Sequence, residues 1–317
     1  MSKKKSNRKS SKKSKKSVNK NKRSKNSNKN KFKGLKTFYE DNLKKLFILS
    51  IVLFILGIGF IGFNYVSTGE IVNRGIDLMG GSSIVFESQH DVFEIEQSFS
   101  QNFELESIFR NIDGTDSVIL EVSTTDPDVV DSIIEFLRAD YTISDEISIE
   151  STDPTLGEGF FRQISLALLI AFIFMGAVVS FYFREFIPSV AIIYSAFADI
   201  TLTIAILNLL GVRMTSAGIA ALLMLIGYSV DTDILLSTNV LRNESKIFFN
   251  NVYSAMRTGF VMSITTLAAV TVGFFLATSV VLEQIMLVLM IGLLIDLMNT
   301  WIVNTSLMRY YTEKKKA

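Results

Sequence analysis

Six apolar stretches, each long enough to cross a membrane, constrain this chain more than any other feature of its sequence. Crossing the hydrocarbon core of a bilayer takes roughly 20 apolar residues in a helix. The stretches cover residues 44–65, 160–182, 188–210, 215–237, 258–278 and 284–305. Because a backbone in lipid has to satisfy its hydrogen bonds internally, each stretch is expected to be helical. The sequence therefore predicts an α-helical polytopic membrane protein with six transmembrane helices.

The first apolar stretch follows a basic tail. Residues 1–36 carry 17 Lys and Arg and no acid. The stretch 44–65 is too long for the core of a secretory signal, and Val66-Ser67-Thr68-Gly69 is a poor cleavage site, which favours an uncleaved anchor. The tail has too few apolar residues to form a core, so we expect it to be disordered. It is either a solvated topogenic tail or a contact for anionic lipid or ribosomal RNA.

Basic residues in the short loops predict the orientation of the chain, because cytoplasmic loops are enriched in Lys and Arg. With six spans, one side receives the tail, Arg184, the loop 242–246 and the end 309–316. Only Arg213 lies on the other side. The predicted layout in the cell membrane is a cytoplasmic tail (1–36), a first helix (44–65), an extracytoplasmic domain (67–159), a five-helix bundle (160–310) and a cytoplasmic end (311–317).

The segment 67–159 is strongly acidic and has the pattern of a small α+β domain. It carries 21 Asp and Glu against three Arg, and this charge argues against nucleic acid as a specific partner. Asp113-Gly114 predicts a hairpin turn. Strands are predicted over 82–87, 105–110, 117–123 and 146–150, and helices over 91–103 and 127–139. The order β-α-β-β-α-β is that of a ferredoxin-like domain.

Ionisable side chains inside the predicted spans mark candidate functional sites, because they are costly in lipid. The four acids are Asp199, Asp231, Asp233 and Asp296. Asp231 and Asp233 are about 200° apart around their helix, so they are not expected to face one partner. Arg257 begins the fifth span at a similar depth, which predicts an ion pair with Asp231 or Asp233. The sequence leaves open whether these groups couple an ion gradient or hold helices together.

The rest of the composition excludes several classes of chemistry. The chain has no Cys and a single His, which excludes thiolate chemistry and leaves little for metal binding. The sequence has no phosphate-binding loop and no nucleophile elbow. We therefore expect no enzymatic activity, no cofactor and no bound metal.

Three motifs carry a family resemblance. Gly75-Ile76-Asp77-Leu78-Met79-Gly80-Gly81 follows the first span, Ile226-Gly227-Tyr228-Ser229-Val230-Asp231-Thr232-Asp233 lies in the fourth, and Arg257-Thr258 begins the fifth. They resemble the signatures of the SecF branch of the SecD/SecF family of protein-export membrane proteins. The signature residues are Gly75, Asp77, Gly80, Gly81, Gly227, Tyr228 and Ser229.

The resemblance implies a fold and a set of partners. The fold would be half of a resistance-nodulation-division (RND) type transporter, and the partner would be SecD, of similar layout. The function would be to assist protein export beside a SecYE-type translocation channel, acting on exported polypeptide chains and using the proton gradient. The family roles carry over directly to Arg257, and Asp199 matches an acidic position of the third span. Asp231-Thr232 departs from the bacterial Asn-Asp pattern and resembles the archaeal form.

Two other functions are compatible with the residues. One is the small-molecule exporter half of an RND transporter, which would show a lined substrate pocket. The other is an intramembrane aspartyl protease, which would need two close carboxylates sharing a proton, such as Asp199 and Asp231. The chain lacks the Gly-x-Gly-Asp element of such proteases.

Overall fold

Six helices in the part of the chain that the structure describes are long and apolar enough to span a membrane. The computed structural model describes residues 3–105, 107–111, 117–141, 143, 147–242, 247–277 and 279–316. The six candidate spans are Lys36–Thr68, Pro154–Phe183, Phe186–Leu209, Ser216–Arg242, Phe248–Leu276 and Val280–Lys315. Each contains most of one predicted stretch, so the prediction of six transmembrane helices is confirmed.

The chain divides into two compact units, residues 1–49 and 50–317. The first unit is the leading part of helix α1 (Lys3–Thr68). The composition of residues 1–36 predicts disorder, whereas the backbone in the structure is helical from Lys3.

In the second unit, the chain segment that follows α1 and precedes the remaining spans forms a four-stranded antiparallel sheet. The elements are α2 (Ile76–Met79), β1 (Gly81–Glu87), α3 (Val92–Asn102), β2 (Ser107–Asn111), β3 (Ser117–Val122), α4 (Pro127–Asp140) and β4 (Ser148–Thr152). The sheet order is β2-β3-β1-β4. This arrangement confirms the predicted β-α-β-β-α-β order. The short helix α2 was not predicted, and the predicted Asp113-Gly114 turn lies outside the described residues.

The core of this domain forms where one face of the sheet packs on α3 and α4. Ile84 and Phe86 of β1 are fully buried, because alternate residues of a strand point to the same face. They pack in one cluster with Phe99 of α3 and with Ile133 and Leu137 of α4. Aspartates cap both helices: Asp91 accepts a hydrogen bond from the Phe93 amide, and Asp126 accepts one from the Asp128 amide.

Glycines make the junction between the domain and the bundle compact. Gly80 and Gly81 have positive φ angles of 92° and 134°, which favour glycine. Across the junction, a Cβ at Gly157 would lie 2.9 Å from the Gly80 amide nitrogen. The two chain segments therefore meet backbone to backbone, which explains why the Gly-Gly of the first signature stands here.

Helices α6 and α7 form the centre of the bundle. Its helices are α5 (Pro154–Phe183), α6 (Phe186–Leu209), α7 (Ser216–Arg242), α8 (Phe248–Leu276), α9 (Val280–Met298) and α10 (Thr305–Lys316). About two thirds of the apolar window of α6 is buried (67%), against 11% in α5 and 17% in α8. Polar side chains that face the bundle interior are thus expected on α6 and α7, and on the helix that crosses both.

A single stretch of π-helix, Asn299–Asn304, interrupts the last span between α9 and α10. A π-helical turn inserts an extra residue, shifts the faces of the following turn and occurs frequently at functional sites. Here it places Asn299, Thr300 and Asn304 in the buried interior.

Candidate functional site

Three aspartates from three different elements lie buried at the centre of the bundle. Asp199 of α6 and Asp296 of α9 are each 1% exposed, and Asp233 of α7 is 0% exposed. The π-helix that follows Asp296 supplies amide and hydroxyl side chains to all three. The cluster formed by Asp199, Asp233, Asp296 and these polar partners is called the polar cluster below.

Asp199 has a hydrogen-bond donor at each carboxylate oxygen. The Ser229 hydroxyl donates to Oδ2 at 2.5 Å, and the Asn299 amide donates to Oδ1 at 2.7 Å. Ser229 belongs to the signature in the fourth span. The signature serine therefore ties α7 to α6 through a buried carboxylate.

One carboxylate oxygen of Asp233 accepts hydrogen bonds, and the other has no hydrogen-bond partner among the described residues. Thr300 Oγ1 lies 2.9 Å from Oδ1, and the Asn304 amide nitrogen donates to the same oxygen at 2.7 Å. Oδ2 is buried and has no hydrogen-bond partner among the described residues. Such an orphaned oxygen is unusual, since buried polar atoms are nearly always paired.

Asp296 contacts two threonine hydroxyls, and each of these hydroxyls lies nearer to another oxygen. Thr232 Oγ1 lies 3.3 Å from Asp296 Oδ2 but only 2.8 Å from the Ser229 carbonyl oxygen. Thr300 Oγ1 lies 3.1 Å from Asp296 Oδ1 and 2.9 Å from Asp233 Oδ1. A hydroxyl has one hydrogen to donate. Each hydroxyl can therefore donate to one of its acceptors at a time, and Thr300 can donate to Asp233 or to Asp296 but not to both.

No Lys or Arg forms an ion pair with the polar cluster among the described residues, where the ion pairs within 4 Å lie elsewhere. Several carboxylates deprived of water and of counter-charges cannot all remain ionised. The cluster therefore has to take up protons or a cation. The described residues contain no group of three or more His, Cys, Asp or Glu side chains suited to a metal ion.

The predicted ion pair of Arg257 with Asp231 or Asp233 is wrong for the described chain. Asp231 and Arg257 are both exposed, and neither makes an ion pair there. The reason is the 200° offset that separates Asp231 from Asp233: Asp233 points inward and Asp231 outward. Since Asp231 faces outward, it also cannot form the protease dyad with the buried Asp199.

The residues of the first signature lie at the junction with the domain. The Asp77 carboxylate accepts a hydrogen bond from the Ser216 amide at 2.6 Å, at the start of α7. The Gly75 amide donates to the Met214 carbonyl at 2.8 Å. Arg213 in the same connection lies 3.6 Å from Glu121 of β3, which is 5% exposed. The connection between α6 and α7 is thus held to the domain from both the signature loop and the sheet.

In the second signature, only Ser229 joins the polar cluster. The half-buried ring of Tyr228 packs against the apolar core of the bundle, and its hydroxyl has no hydrogen-bond partner among the described residues. Gly227 is exposed, and a Cβ there would meet nothing within 4 Å. The two residues therefore belong to the packing of α7 rather than to its buried carboxylate.

Sequence reasoning missed Thr232, Asn299, Thr300 and Asn304. The sequence does contain a signal for the last three, because they follow Asp296 by three, four and eight residues. On a helix these positions share one face with Asp296. Polar residues on one face of an otherwise apolar span indicate a buried polar site.

Comparisons with known proteins agree with the fold and the motifs. Residues 133–314 match the family described as "Protein export membrane protein SecD/SecF, C-terminal". The chain is 37% identical to the protein-export membrane protein SecF of Pyrococcus furiosus, over 89% of this chain and 95% of that one. It is 38% identical to SecF of Methanolacinia petrolearia, over 86% of this chain and 94% of that one. These archaeal sources confirm the predicted archaeal form.

Solved structures of SecDF share the fold. The crystal structure of SecDF, a translocon-associated membrane protein from Thermus thermophilus, aligns with a TM-score of 0.73 at 18% identity, and covers 87% of this chain. A super-membrane-facing form of SecDF aligns with a TM-score of 0.59, again over 87% of this chain. This chain spans only 38% and 39% of the length of those two chains. The match shows that this chain has the fold of the matching part of SecDF.

Proposed function

The chain belongs to the SecD/SecF family of protein-export membrane proteins, and from that premise we propose that it assists protein export by passing protons through its polar cluster. It is an accessory subunit of Sec translocation, as its relatives' names indicate. The proton-driven part of the proposal rests on the geometry of the buried carboxylates.

The observation that carries the proposal is the position of Thr300 between two aspartates. Its hydroxyl oxygen lies 2.9 Å from Asp233 and 3.1 Å from Asp296. If one carboxylate is protonated, it can give its proton to the Thr300 oxygen while the Thr300 hydroxyl gives its own hydrogen to the other carboxylate, and rotation of the new hydroxyl resets the contact. A threonine in this position is a relay, because it accepts one hydrogen bond and donates the other.

Proton transfer in the cluster would act on the domain through a movement of α7. Asp233 and Ser229 lie on α7, and the start of the same helix is held by Asp77. A protonation change that breaks the contact of Thr300 with Asp233 would free α7 to shift against α6 and the π-helix. The shift would reach the domain through Asp77 and through the ion pair of Arg213 with Glu121. The domain would then hold or release an emerging polypeptide chain.

The partner surface of the proposal is the outward face of α7 and α8. Asp231 and Arg257 are charged, lie in spans and are exposed. Charges on a span almost always face protein or water rather than lipid. We therefore place SecD against this face, beside a SecYE-type channel. Positively charged loops support cytoplasmic termini and an extracytoplasmic domain in the cell membrane.

Paired substitutions at Thr300 test the relay. Thr300→Val removes the hydroxyl and keeps the shape, whereas Thr300→Ser keeps the hydroxyl. Export of a reporter protein into membrane vesicles is measured with and without an imposed proton gradient. We expect the gradient-dependent part of export to fall about tenfold or more in Thr300→Val, since general acid–base transfer contributes roughly 10²–10⁴-fold to a rate, and to persist in Thr300→Ser. Equal export by both variants would remove the relay.

A second experiment tests the partner surface. Asp231→Asn and Arg257→Met remove the exposed charges, and the amount of SecD that co-purifies with the chain is measured. The expected result is loss of SecD, with the fold of the chain intact because neither residue has an ion partner in the part of the chain that the structure describes. Full recovery of SecD with both variants would contradict the assignment.

A further inference from the structure

A crevice with apolar walls lies between helices α1, α6 and α9. Four residues of each helix line it, all twelve are apolar, and its volume is about 680 Å³. It runs from the middle of the three spans, at Leu53, Leu202 and Met298, to their domain-side ends. Its floor is buried, since Leu202, Ala205 and Ile295 are each 6–7% exposed. We call this space the lateral crevice.

The rims of the lateral crevice are exposed. Leu56 of α1, Leu209 of α6 and Leu294 of α9 are 62%, 67% and 53% exposed. Each helix therefore contributes one large apolar side chain that faces the surroundings of the spans. In a bilayer these surroundings are hydrocarbon chains at every level between the headgroups. The lateral crevice is thus a space inside the protein that opens toward lipid.

The lateral crevice cannot close by a closer approach of α1 to α6, because these helices already touch. A Cβ at Gly57 would lie 2.9 Å from Cδ2 of Leu202. The ring of Phe54 packs edge-on against Tyr194, with the ring centroids 5.4 Å apart. The position of α1 is therefore fixed by contacts with α6.

Polar groups border the domain-side end of the lateral crevice. The Asn73 backbone amide donates to Oδ1 of Asn208 at 3.2 Å, and the side-chain amide of Asn208 donates to the Ile71 carbonyl at 2.9 Å. Asn64 of α1 donates to Oδ1 of Asn73 at 3.1 Å. Asn208 immediately precedes Leu209 of the rim. The walls thus change from apolar at mid-span to polar at the end, as an amphiphilic lipid does.

The size and chemistry of the lateral crevice exclude other occupants. A buried water needs two to four polar partners, and the twelve lining residues offer apolar side chains. The lining part of α1, from Leu53 to Phe60, is about 10 Å long at 1.5 Å per residue. A partner helix of that length and about 10–12 Å diameter needs on the order of 1,000 Å³, more than the lateral crevice holds.

From these observations we propose that the lateral crevice binds one hydrocarbon chain of a membrane phospholipid. Lipid tails are as apolar as leucine side chains, so the preference for this site over bulk bilayer comes from packing. A chain in the lateral crevice contacts three helices at once and gains dispersion energy from each. This lipid site goes beyond the proposed role in export, and its test measures lipid binding alone.

Photo-cross-linking in vesicles tests the site. The full chain is reconstituted into phosphatidylcholine vesicles with increasing fractions of a phosphatidylcholine that carries a diazirine in one acyl chain. After illumination, mass spectrometry locates the labelled residues. We expect labelling of Leu53–Phe60 and Leu202–Leu209 to saturate at one lipid per chain. Labelling of the exposed Ile173 on α5 should instead rise in proportion to the probe.

Ile206→Trp fills the lateral crevice from the half-buried Ile206 of its wall. Because overfilling a packed site is unfavourable, the half-saturating probe fraction is expected to rise about tenfold. Ile173→Trp is the matched control and should leave it unchanged. The pair Leu56→Ala and Leu209→Ala removes two rims at exposed positions, where the fold is not disturbed, and should also weaken labelling.

Three results would overturn the proposal. In the first, wild-type labelling of the lateral crevice rises linearly, as on any surface in contact with lipid. In the second, Ile206→Trp and the rim variants saturate at the same probe fraction as wild type. In the third, reconstitution together with SecD abolishes the labelling, which would assign the lateral crevice to a protein partner.

Discussion

The two halves of the bundle core are built from the same helices but differ in chemistry. Toward the domain, α6, α7 and α9 contribute Leu207, Leu222, Leu225 and Leu293 to an apolar cluster that also contains Leu78 of α2. Toward the opposite end, the same three helices carry the polar cluster. A proton is stabilised only where side chains replace water. If the cluster passes protons as proposed, the apolar half is the barrier and the polar half is the ion site.

The domain is attached to the apolar half of the bundle core. Its contacts, the ion pair of Arg213 with Glu121 and the cap by Asp77, lie at the apolar end, at the start of α7. The polar cluster lies further along the same helix. Helix α7 thus connects the polar cluster to the contacts that hold the domain.

The largest expected effect comes from breaking the polar half. Asp199→Leu leaves the Ser229 hydroxyl and the Asn299 amide buried without their acceptor. Each such group costs about 1–3 kcal/mol, so we expect a loss of about 4 kcal/mol in the free energy of unfolding. Denaturant titration in detergent measures it. Asp199→Asn keeps a polar group and should lose clearly less; equal stability of Asp199→Leu and wild type would contradict the contacts.

Disrupting the apolar half is expected to lower the free energy of unfolding slightly less. It is also expected to raise the permeability to protons. Leu225 is fully buried and packs against Gly292. Leu225→Ala opens a cavity, which costs about 3 kcal/mol, and thins the barrier above the polar cluster. A pH-sensitive dye inside liposomes should report faster proton leak than with wild type. Leu294→Ala, on an exposed part of the same span as Gly292, serves as the control. If both variants leak equally, the apolar cluster is not the barrier.

A smaller effect is expected at the attachment of the domain. Asp77→Ala removes the cap of α7, a change that costs about 1 kcal/mol. Asp77→Asn keeps a capping side chain and is the matched control. Protease cleavage between α6 and α7 should become faster in Asp77→Ala and stay slow in Asp77→Asn. Identical cleavage of the two would show that Asp77 does not hold this connection.

The smallest effect lies at the opposite end, in a contact that joins the partly exposed Glu185 to Tyr311 and Lys315 of α10. Hydrogen bonds from Tyr311 and Lys315 lower the pKa of Glu185 below its ordinary value of 4.5. Because the folded pKa is the lower one, this contact stabilises the docked α10 above pH 4.5 and is lost as the pH falls through the lowered pKa.

The fluorescence of Trp301 reports on this docking, since it is the single Trp of the chain and packs with Met308 of α10. We expect a small acid transition in wild type that is absent in Glu185→Gln. Glu313→Gln is the control, because Glu313 pairs with Arg309 on its own helix. A transition that persists unchanged in Glu185→Gln would assign it to another group.

The fold was largely predictable because its signals are local. Apolar length predicts each span, and the alternation of the strands together with the helical spacing of 91–103 and 127–139 predicts the domain. The position of Asp233 was harder to predict, because the sequence places Asp231 and Asp233 on opposite faces without stating which face is inward. That choice depends on how α7 packs between α6 and α9, which is a tertiary property. The π-helical turn was not predictable from apolar length, because it changes only the register of Asn299 to Asn304.

The most direct test of the account is infrared spectroscopy of the carboxyl groups in the purified protein at neutral pH. The polar cluster has three buried carboxylates and no Lys or Arg partner among the described residues, which predicts at least one protonated aspartic acid, seen as a carboxylic C=O band that shifts in D₂O. The band should change in Asp199→Asn, Asp233→Asn or Asp296→Asn and stay as it is in Asp231→Asn, where the carboxylate is exposed. Absence of the band in wild type, or a band that none of the three cluster variants changes, would contradict a proton held in the polar cluster.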